Sequence, residues 1–297
     1  MKAHITPLHR PGLADLASLV RAPAALSVPG DVLAGAAATG RPDWPRTLGM
    51  TASSVCLYWA GMALNDYADA AVDSVERPGR PIPSGRVPRR TALSTAKGLT
   101  AAGLGLAALS GGRRGLAVAV PLAGVVWAYD LALKSTPAGP AAMAGARALN
   151  VLAGAREIRP ALPAALAVGA HTYTVTLLSR HEVGGAPASV PAATLAGSTA
   201  VGLAAAAFPW RRSGTRAGRA GAAVAAAGYV AAYGRAQAGA LRDPSAGNVR
   251  RAVGSGILGL IPLQAALTAG AGAVGAAAVL ATAHPLARRL SRKVSPT

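Results

Sequence analysis

The sequence predicts an all-α protein: a polytopic transmembrane helical bundle forming a single domain over residues 1–297. Three observations predict it. Of the 297 residues, 52% are hydrophobic and 14% are charged, well below the roughly 25% charged usual for soluble domains. Apolar stretches of about 20 residues, the length needed to cross a hydrocarbon core, recur along the whole chain. Aromatic residues make up 4%, with Phe208 the single phenylalanine, where a soluble core of this size would bury more rings. Gly and Pro, 36 and 22 residues, stay below the level that signals disorder.

The candidate spans, in order, are 13–39, 47–71, 91–110, 115–133, 138–155, 161–179, 188–209, 217–241, 249–268 and 271–287. Stretches such as GLTAAGLGLAALSGG and AATLAGSTAVGLAAAA carry small side chains that let helices approach closely in a bilayer. Pro29, Pro121, Pro163 and Pro262 predict kinks, tolerated where neighbours satisfy the freed carbonyls. The N-terminus MKAHITPLHRPG has no continuous apolar core, so no cleavable signal peptide is expected; the first span serves as the insertion signal. The single cysteine, Cys56, sits in an apolar run and reads as a buried small hydrophobe.

Thirty Lys+Arg against 11 Asp+Glu leave a net charge of +19. The connector with Arg77, Arg80, Arg86, Arg89 and Arg90 is the strongest positive-inside signal. It places that connector and the N-terminus, with Lys2 and Arg10, in the cytoplasm. Lys134, Arg180 and the Arg242/Arg250/Arg251 connector follow to the same side. Arg211, Arg212, Arg216 and Arg219 fall outside, against the rule. The C-terminal Arg288, Arg289, Arg292 and Lys293 would be inside with ten spans and outside with nine. Nucleic acid is not expected as a partner, because the bases are scattered between apolar spans with no aromatic stacking platform.

The scarce acids are more telling. Asp66, Asp69, Asp73 and Glu76 lie within 11 positions. On a helix, Asn65, Asp66, Asp69 and Asp73 fall within about 100° of arc, one oxygen-rich stripe at the end of an apolar span. A solvated helix end is the plain alternative. Intramembrane carboxylates are costly and functional by default, and neighbouring ones repel unless a cation joins them. Hard oxygen ligands suit Mg²⁺, which binds through carboxylates and substrate phosphates. The following RPGRPIPSGR is a Pro/Gly loop whose arginines match phosphate oxygens. A plain positive-inside loop would explain its charge but not the order of Pro, Gly and Arg.

Asn65-Asp66-x-x-Asp69-x-x-x-Asp73 followed by Arg77-Pro-x-Arg80-Pro-x-Pro-Ser-Gly resembles the first aspartate-rich motif of the UbiA superfamily of intramembrane prenyltransferases. The resemblance implies a helical bundle, usually of nine spans, with ten as the alternative the segment list allows. It also implies two Mg²⁺ holding a prenyl diphosphate donor, with Asn65, Asp66, Asp69 and Asp73 as metal ligands and Asn65, Arg77 and Arg80 against the substrate. Tyr129 through Lys134 is similar to a Tyr/Lys segment of the family whose lysine faces the diphosphate; snorkelling at the interface is the alternative. Arg21, which interrupts the first span, resembles a family arginine near the diphosphate. Arg147 and Asn150, at i and i+3 on one face of a later span, read as substrate ligands or as partners of something structural.

The family's second aspartate-rich motif is reduced here to Ser179-Arg180-His181-Glu182. Only Glu182 keeps a carboxylate as a metal ligand, and Arg180 takes a position where it can neutralise charge. This pattern resembles the branch containing EboC-like proteins. His171 reads as a packed or hydrogen-bonded residue, and Asp243 as a turn or helix cap. The function implied is Mg²⁺-dependent transfer of an isoprenyl group to a lipophilic or aromatic acceptor in the cell membrane, with the active-site loops cytoplasmic. A prenyl-diphosphate cyclase, or a transporter or scaffold, remains the alternative.

Overall fold

The computed structural model describes residues 11–21, 25, 27–40, 42–207 and 215–291, with side-chain surroundings as far as residue 283. Lys2, Arg10, Phe208, Arg211, Arg212, Arg292 and Lys293 lie outside the described residues, as do the side chains of Arg288 and Arg289. No strand occurs among the described residues. The helices are α1 (Leu13–Leu19), α2 (Val28–Ala38), α3 (Trp44–Glu76), α4 (Arg89–Ala128), α5 (Gly139–Gly154), α6 (Ile158–Ser179), α7 (Ser189–Ala207), α8 (Arg216–Arg242), α9 (Ala246–Gly270) and α10 (Val274–Ser291). A π-helical turn, Tyr129–Leu133, extends α4.

Among the described residues, four helical stretches are long and apolar enough to cross a membrane: Arg89–Leu133, Ile158–Ser179, Ser189–Ala207 and Ala246–Gly270. The first is two antiparallel arms. Gly112, at φ 58° and ψ −147°, breaks it, a backbone conformation that glycine alone adopts cheaply. The reversal shows in Trp127 Nε1 donating to Thr100 Oγ1 at 3.1 Å, 27 residues back along the chain. The sequence expectation of separate spans ending at 110 and starting at 115 matches this turn.

The predicted span 13–39 is two helices, not one. The chain breaks around Arg21, which sits at φ 47°. Pro29, expected as a kink, occupies the first turn of α2, where its missing N–H is no loss. Pro121, Pro163 and Pro262 do lie inside helices. Cys56 is half-buried rather than buried. Asp243 is the C-terminal cap position of α8 and holds the turn into α9, accepting from Ser245 N at 3.3 Å and from Asn248 Nδ2.

Successive helices pack side by side, and α9 runs through the middle, contacting α2, α6, α8 and α10. Its second half, Leu260 to Gly270 with the partial exception of Pro262, is buried. Backbones meet closely across α2 and α5 where a glycine of each helix faces a valine backbone of the other. A side chain at Gly154 would put its Cβ 2.9 Å from Val32 Cα, and one at Gly35 would put it 2.9 Å from the Val151 carbonyl carbon. Such small-residue contacts supply the van der Waals packing that holds helices together where the hydrophobic effect between them is weak. The exposed C-terminal carbonyls of α5 are satisfied by Arg46 of α3, which donates to Gly154 O and Ala155 O, both at 2.9 Å. The helices α2, α3, α5, α6 and α9, with the second arm of α4, enclose a cavity of about 410 Å³.

Gly154→Val should therefore force α2 and α5 apart. Overpacking of this kind costs about 1–3 kcal/mol, so the variant should melt at lower temperature in detergent by fluorescence-detected size exclusion, with an Ala substitution at the open position Gly98 as the unaffected control.

Candidate active site

The acidic end of α3 meets the loop 77–88 and the π-turn at one end of the bundle. The loop is ordered by its own bonds. Arg80 N and Ser84 N donate to Arg77 O and Arg80 O, both at 3.0 Å, and Val87 N donates to Pro81 O at 2.9 Å. Gly85 takes φ 75° to close the turn. Arg86 donates to Gly79 O at 2.9 Å, and buried Val87 plugs the loop into a cluster with Ala63, Leu64 and Ala92. These contacts aim Arg80 back at α3.

The predicted stripe resolves into two rows. Asp66 and Asp73, seven residues apart, converge on Arg80, whose Nη1 lies 3.2 Å from Asp66 Oδ1 and 2.9 Å from Asp73 Oδ2. Arg21 adds a second cation to Asp66 at 3.1 Å, and Arg77 stands 3.8 Å from Asp73. The other row is Asn65 and Asp69, four residues apart, and it faces the π-turn. Asn65 Nδ2 donates to Asp130 Oδ1 at 3.2 Å, and Asp69 pairs with Lys134. The π-turn, a feature frequent at functional sites, is what brings Asp130 and Lys134 onto the face of α3. Tyr129 stands beside Asp130 and lines the cavity.

Burial, and then the Arg21 charge, lower the Arg80 guanidinium from its ordinary value, while Asp66 and Asp73 raise it. Burial raises the Glu182 carboxyl above its ordinary value, against the pull of Arg77 and Arg250. Glu182 lines the cavity, and its Oε1 has no hydrogen-bond partner among the described residues. Arg180 does not reach a carboxylate; it donates to the Thr136 carbonyl and ties the end of α6 to the connector after the π-turn.

Arg147 and Asn150 lie apart from this cluster, on the cavity wall, paired with Asp31. Asp31 was not among the residues expected at the site, although a carboxylate inside an apolar stretch is itself a signal. Asp130, inside the Tyr129–Lys134 segment, is likewise a site neighbour that the sequence pattern does not single out. His171 is a packed residue, as expected: Nε2 faces the Gly256 carbonyl at 3.1 Å and Nδ1 the Tyr229 hydroxyl at 3.0 Å. A carbonyl only accepts, so Nε2 carries the proton and Nδ1 accepts from Tyr229.

As donors, Asp66, Asp69, Asp73 and the Asn65 amide oxygen are hard oxygen groups, the type Mg²⁺ takes. Among the described residues no three His, Cys, Asp or Glu side chains converge on one point; the aspartates rest on Arg80, Arg21 and Lys134. The donor set fits a magnesium ion in chemistry, and loading would require Arg80 and Lys134 to release carboxylate oxygens. Chemically, the arrangement is a rigid set of guanidinium and ammonium groups beside hard oxygens, at one end of a largely apolar cavity. It is suited to a polyanion with an apolar tail.

Arg80→Ala should leave two nearly buried carboxylates facing each other. Removing one partner of a buried pair costs about 3–5 kcal/mol; partial exposure of Arg80 puts the expected loss at the lower end. Thermal unfolding should show it, and Asp73→Asn in the same background should restore part of it.

Comparison with known proteins gives the family and the fold. The model of the UbiA prenyltransferase family matches residues 26–293. A digeranylgeranylglyceryl phosphate synthase of Methanopyrus kandleri is 44% identical over 111 residues, 37% of this chain and 38% of that protein. The chlorophyll synthase of Oryza sativa subsp. japonica is 37% identical over 84 residues, 26% of this chain and 22% of that protein. The chain thus aligns with well under half the length of these relatives. In fold, a solved digeranylgeranylglyceryl phosphate synthase structure superposes with a TM-score of 0.66 at 17% identity, covering 87% of this chain and 98% of the other. A UbiA homolog from Aeropyrum pernix K1 gives 0.66 at 19% identity, covering 82% and 96%.

Proposed function

Because the chain belongs to the UbiA prenyltransferase family, we propose that it transfers an isoprenyl group from an allylic prenyl diphosphate to a lipophilic acceptor within the membrane. The observation that carries this reading is the double row on α3: Arg80 bridging Asp66 and Asp73, and Lys134 on Asp69. It adjoins an apolar cavity through Arg21, Asn65 and Tyr129.

In this reading the diphosphate lies against Arg80, Arg21, Arg77 and Lys134, which exchange carboxylate oxygens for phosphate oxygens. Arginine forks suit phosphate, and pre-positioned cations are worth most where water is excluded. Asp66, Asp69 and Asp73, with Asn65 beside them, would hold Mg²⁺, and Glu182 is the one carboxylate of the reduced second motif that could join them. When bound, the ion supplies Lewis-acid stabilisation of the leaving diphosphate. The allylic C–O bond breaks with its electron pair leaving on the diphosphate. The acceptor nucleophile bonds to the freed carbon and loses its proton. The apolar walls of the cavity keep water from the cation. Arg180, expected as a substrate ligand, is tied to the connector through the Thr136 carbonyl and is not among the residues that line the cavity as described.

The relatives named digeranylgeranylglyceryl phosphate synthase support an isoprenoid donor and a lipid acceptor. The span count belongs to the same proposal. Counting α1 and α2 as one passage and the arms of α4 as two, α1 to α9 make nine crossings, and α10 separates nine from ten. The site then faces the cytoplasm, supported by the positive-inside charge of the loop 77–88.

Asp69→Ala and Asp73→Ala should each abolish Mg²⁺-dependent consumption of labelled C10 to C20 allylic diphosphates by membranes containing the protein. Wild-type turnover in either variant would sink the assignment, and a cyclised product formed without acceptor would identify a cyclase.

A further inference from the structure

A second polar centre lies along the cavity, unused by the diphosphate chemistry. Arg147 and Asn150 stand eight and eleven residues into α5, about 12 and 16 Å along its axis from Gly139. Both line the cavity. Behind them is Asp31 of α2, fully buried. Its Oδ2 lies 3.1 Å from Arg147 Nε in an ion pair and accepts from Asn150 Nδ2 at 2.9 Å. Its Oδ1 accepts from Gln264 Nε2 at 2.6 Å, and the same nitrogen donates to the Ser27 carbonyl at 2.7 Å.

These bonds determine what is left over. A carboxylate only accepts, so the Asn150 amide cannot be turned round. Its Oδ1 is held as an acceptor in a residue 5% exposed, with no donor among the described residues. A buried acceptor without a donor is costly. Arg147 spends Nε on Asp31 and makes one long contact, 3.4 Å, with Ser27 Oγ; its other N–H groups are uncommitted among the described residues. The wall therefore offers one acceptor and several donors side by side, with the arginine charge cancelled by Asp31. A hydroxyl group matches both halves, donating to Asn150 Oδ1 and accepting from Arg147. A phosphate matches only the donors, faces the amide oxygen unfavourably, and finds no net positive charge.

We infer that Arg147 and Asn150, positioned by Asp31 and Gln264, form the acceptor-headgroup subsite, and that it takes an uncharged hydroxyl-bearing lipid rather than a phosphorylated one. This rests on the transferase reading above.

Protein in lipid nanodiscs would be photolabelled, without donor, by a 1-O-hexadecylglycerol carrying a diazirine beside its headgroup, and the labelled peptides mapped by mass spectrometry. Label should fall on cavity peptides of α5 or α9. Excess 1-O-hexadecylglycerol should remove it, and equal hexadecyl phosphate should not. Asn150→Leu and Arg147→Lys should each cut labelling about fivefold, the scale of one hydrogen bond, while binding of labelled geranylgeranyl diphosphate with Mg²⁺ stays unchanged. Should Asn150→Leu fail to fold, Arg147→Lys, which keeps the charge facing Asp31, carries the test. Equal or better competition by the phosphate, or full labelling of Arg147→Lys, overturns the subsite. Wild-type protein that binds no geranylgeranyl diphosphate overturns the transferase reading and the acceptor assignment with it, a failure the donor assay reports separately.

Discussion

A carboxylate enclosed by apolar helices must be paired, and the pairing of Asp66 and Asp73 on Arg80 is the interaction from which the rest of the site takes its position. It fixes the end of α3 against the loop 77–88. The loop in turn is wound by its own backbone bonds and anchored by Val87, so the arginine is delivered from a rigid support rather than a floppy connector. The opposite row of α3 uses the same constraint. Asp69 finds Lys134 and Asn65 finds Asp130, which pins the π-turn against α3. Pairing thus does structural work in one state and leaves a set of cations ready for an anion in another, because the same guanidinium and ammonium groups suit carboxylate and phosphate alike.

Deeper in the bundle the constraint recurs at Asp31. Here the acid is satisfied by three side chains from two other helices, and α2 is seated on α5 by glycine contacts that allow the approach. Small residues and a buried polar tie are complementary: the first bring the backbones within reach, the second sets which rotation brings Arg147 and Asn150 to the cavity. Both polar centres contribute residues to the wall of one largely apolar cavity.

Much of this was legible in the chain. Helix limits followed the apolar stretches to within a few residues, because a run of Ala, Gly, Val and Leu of spanning length has little alternative to a helix in lipid. The reversal between 110 and 115 was readable from the Gly-Gly-Arg-Arg interruption. The first motif was readable because i, i+1, i+4 and i+8 spacing places side chains on one arc whatever they touch. Pro29 misled because proline is permitted in a helix's first turn as well as at a kink, and the start of α2 depends on where the chain turns at Arg21. Cys56 misled because apolar sequence does not distinguish the lipid-facing side of a helix from its core side. Asp31 went unplaced because its partners lie 116 to 233 residues away.

The sequence by itself determined the all-helical class, the family resemblance and the set of charged residues from which a site could be built, since these depend on composition and on spacing within single helices. Only the tertiary structure decided how that set divides. Asp66 and Asp73 go to Arg80, Asp69 goes to Lys134, Asn65 goes to Asp130, and Arg147 with Asn150 go to Asp31 and away from the diphosphate end. Each choice is made between helices distant in the chain. In an apolar bundle an ionisable group takes whichever partner the packing brings within hydrogen-bonding reach.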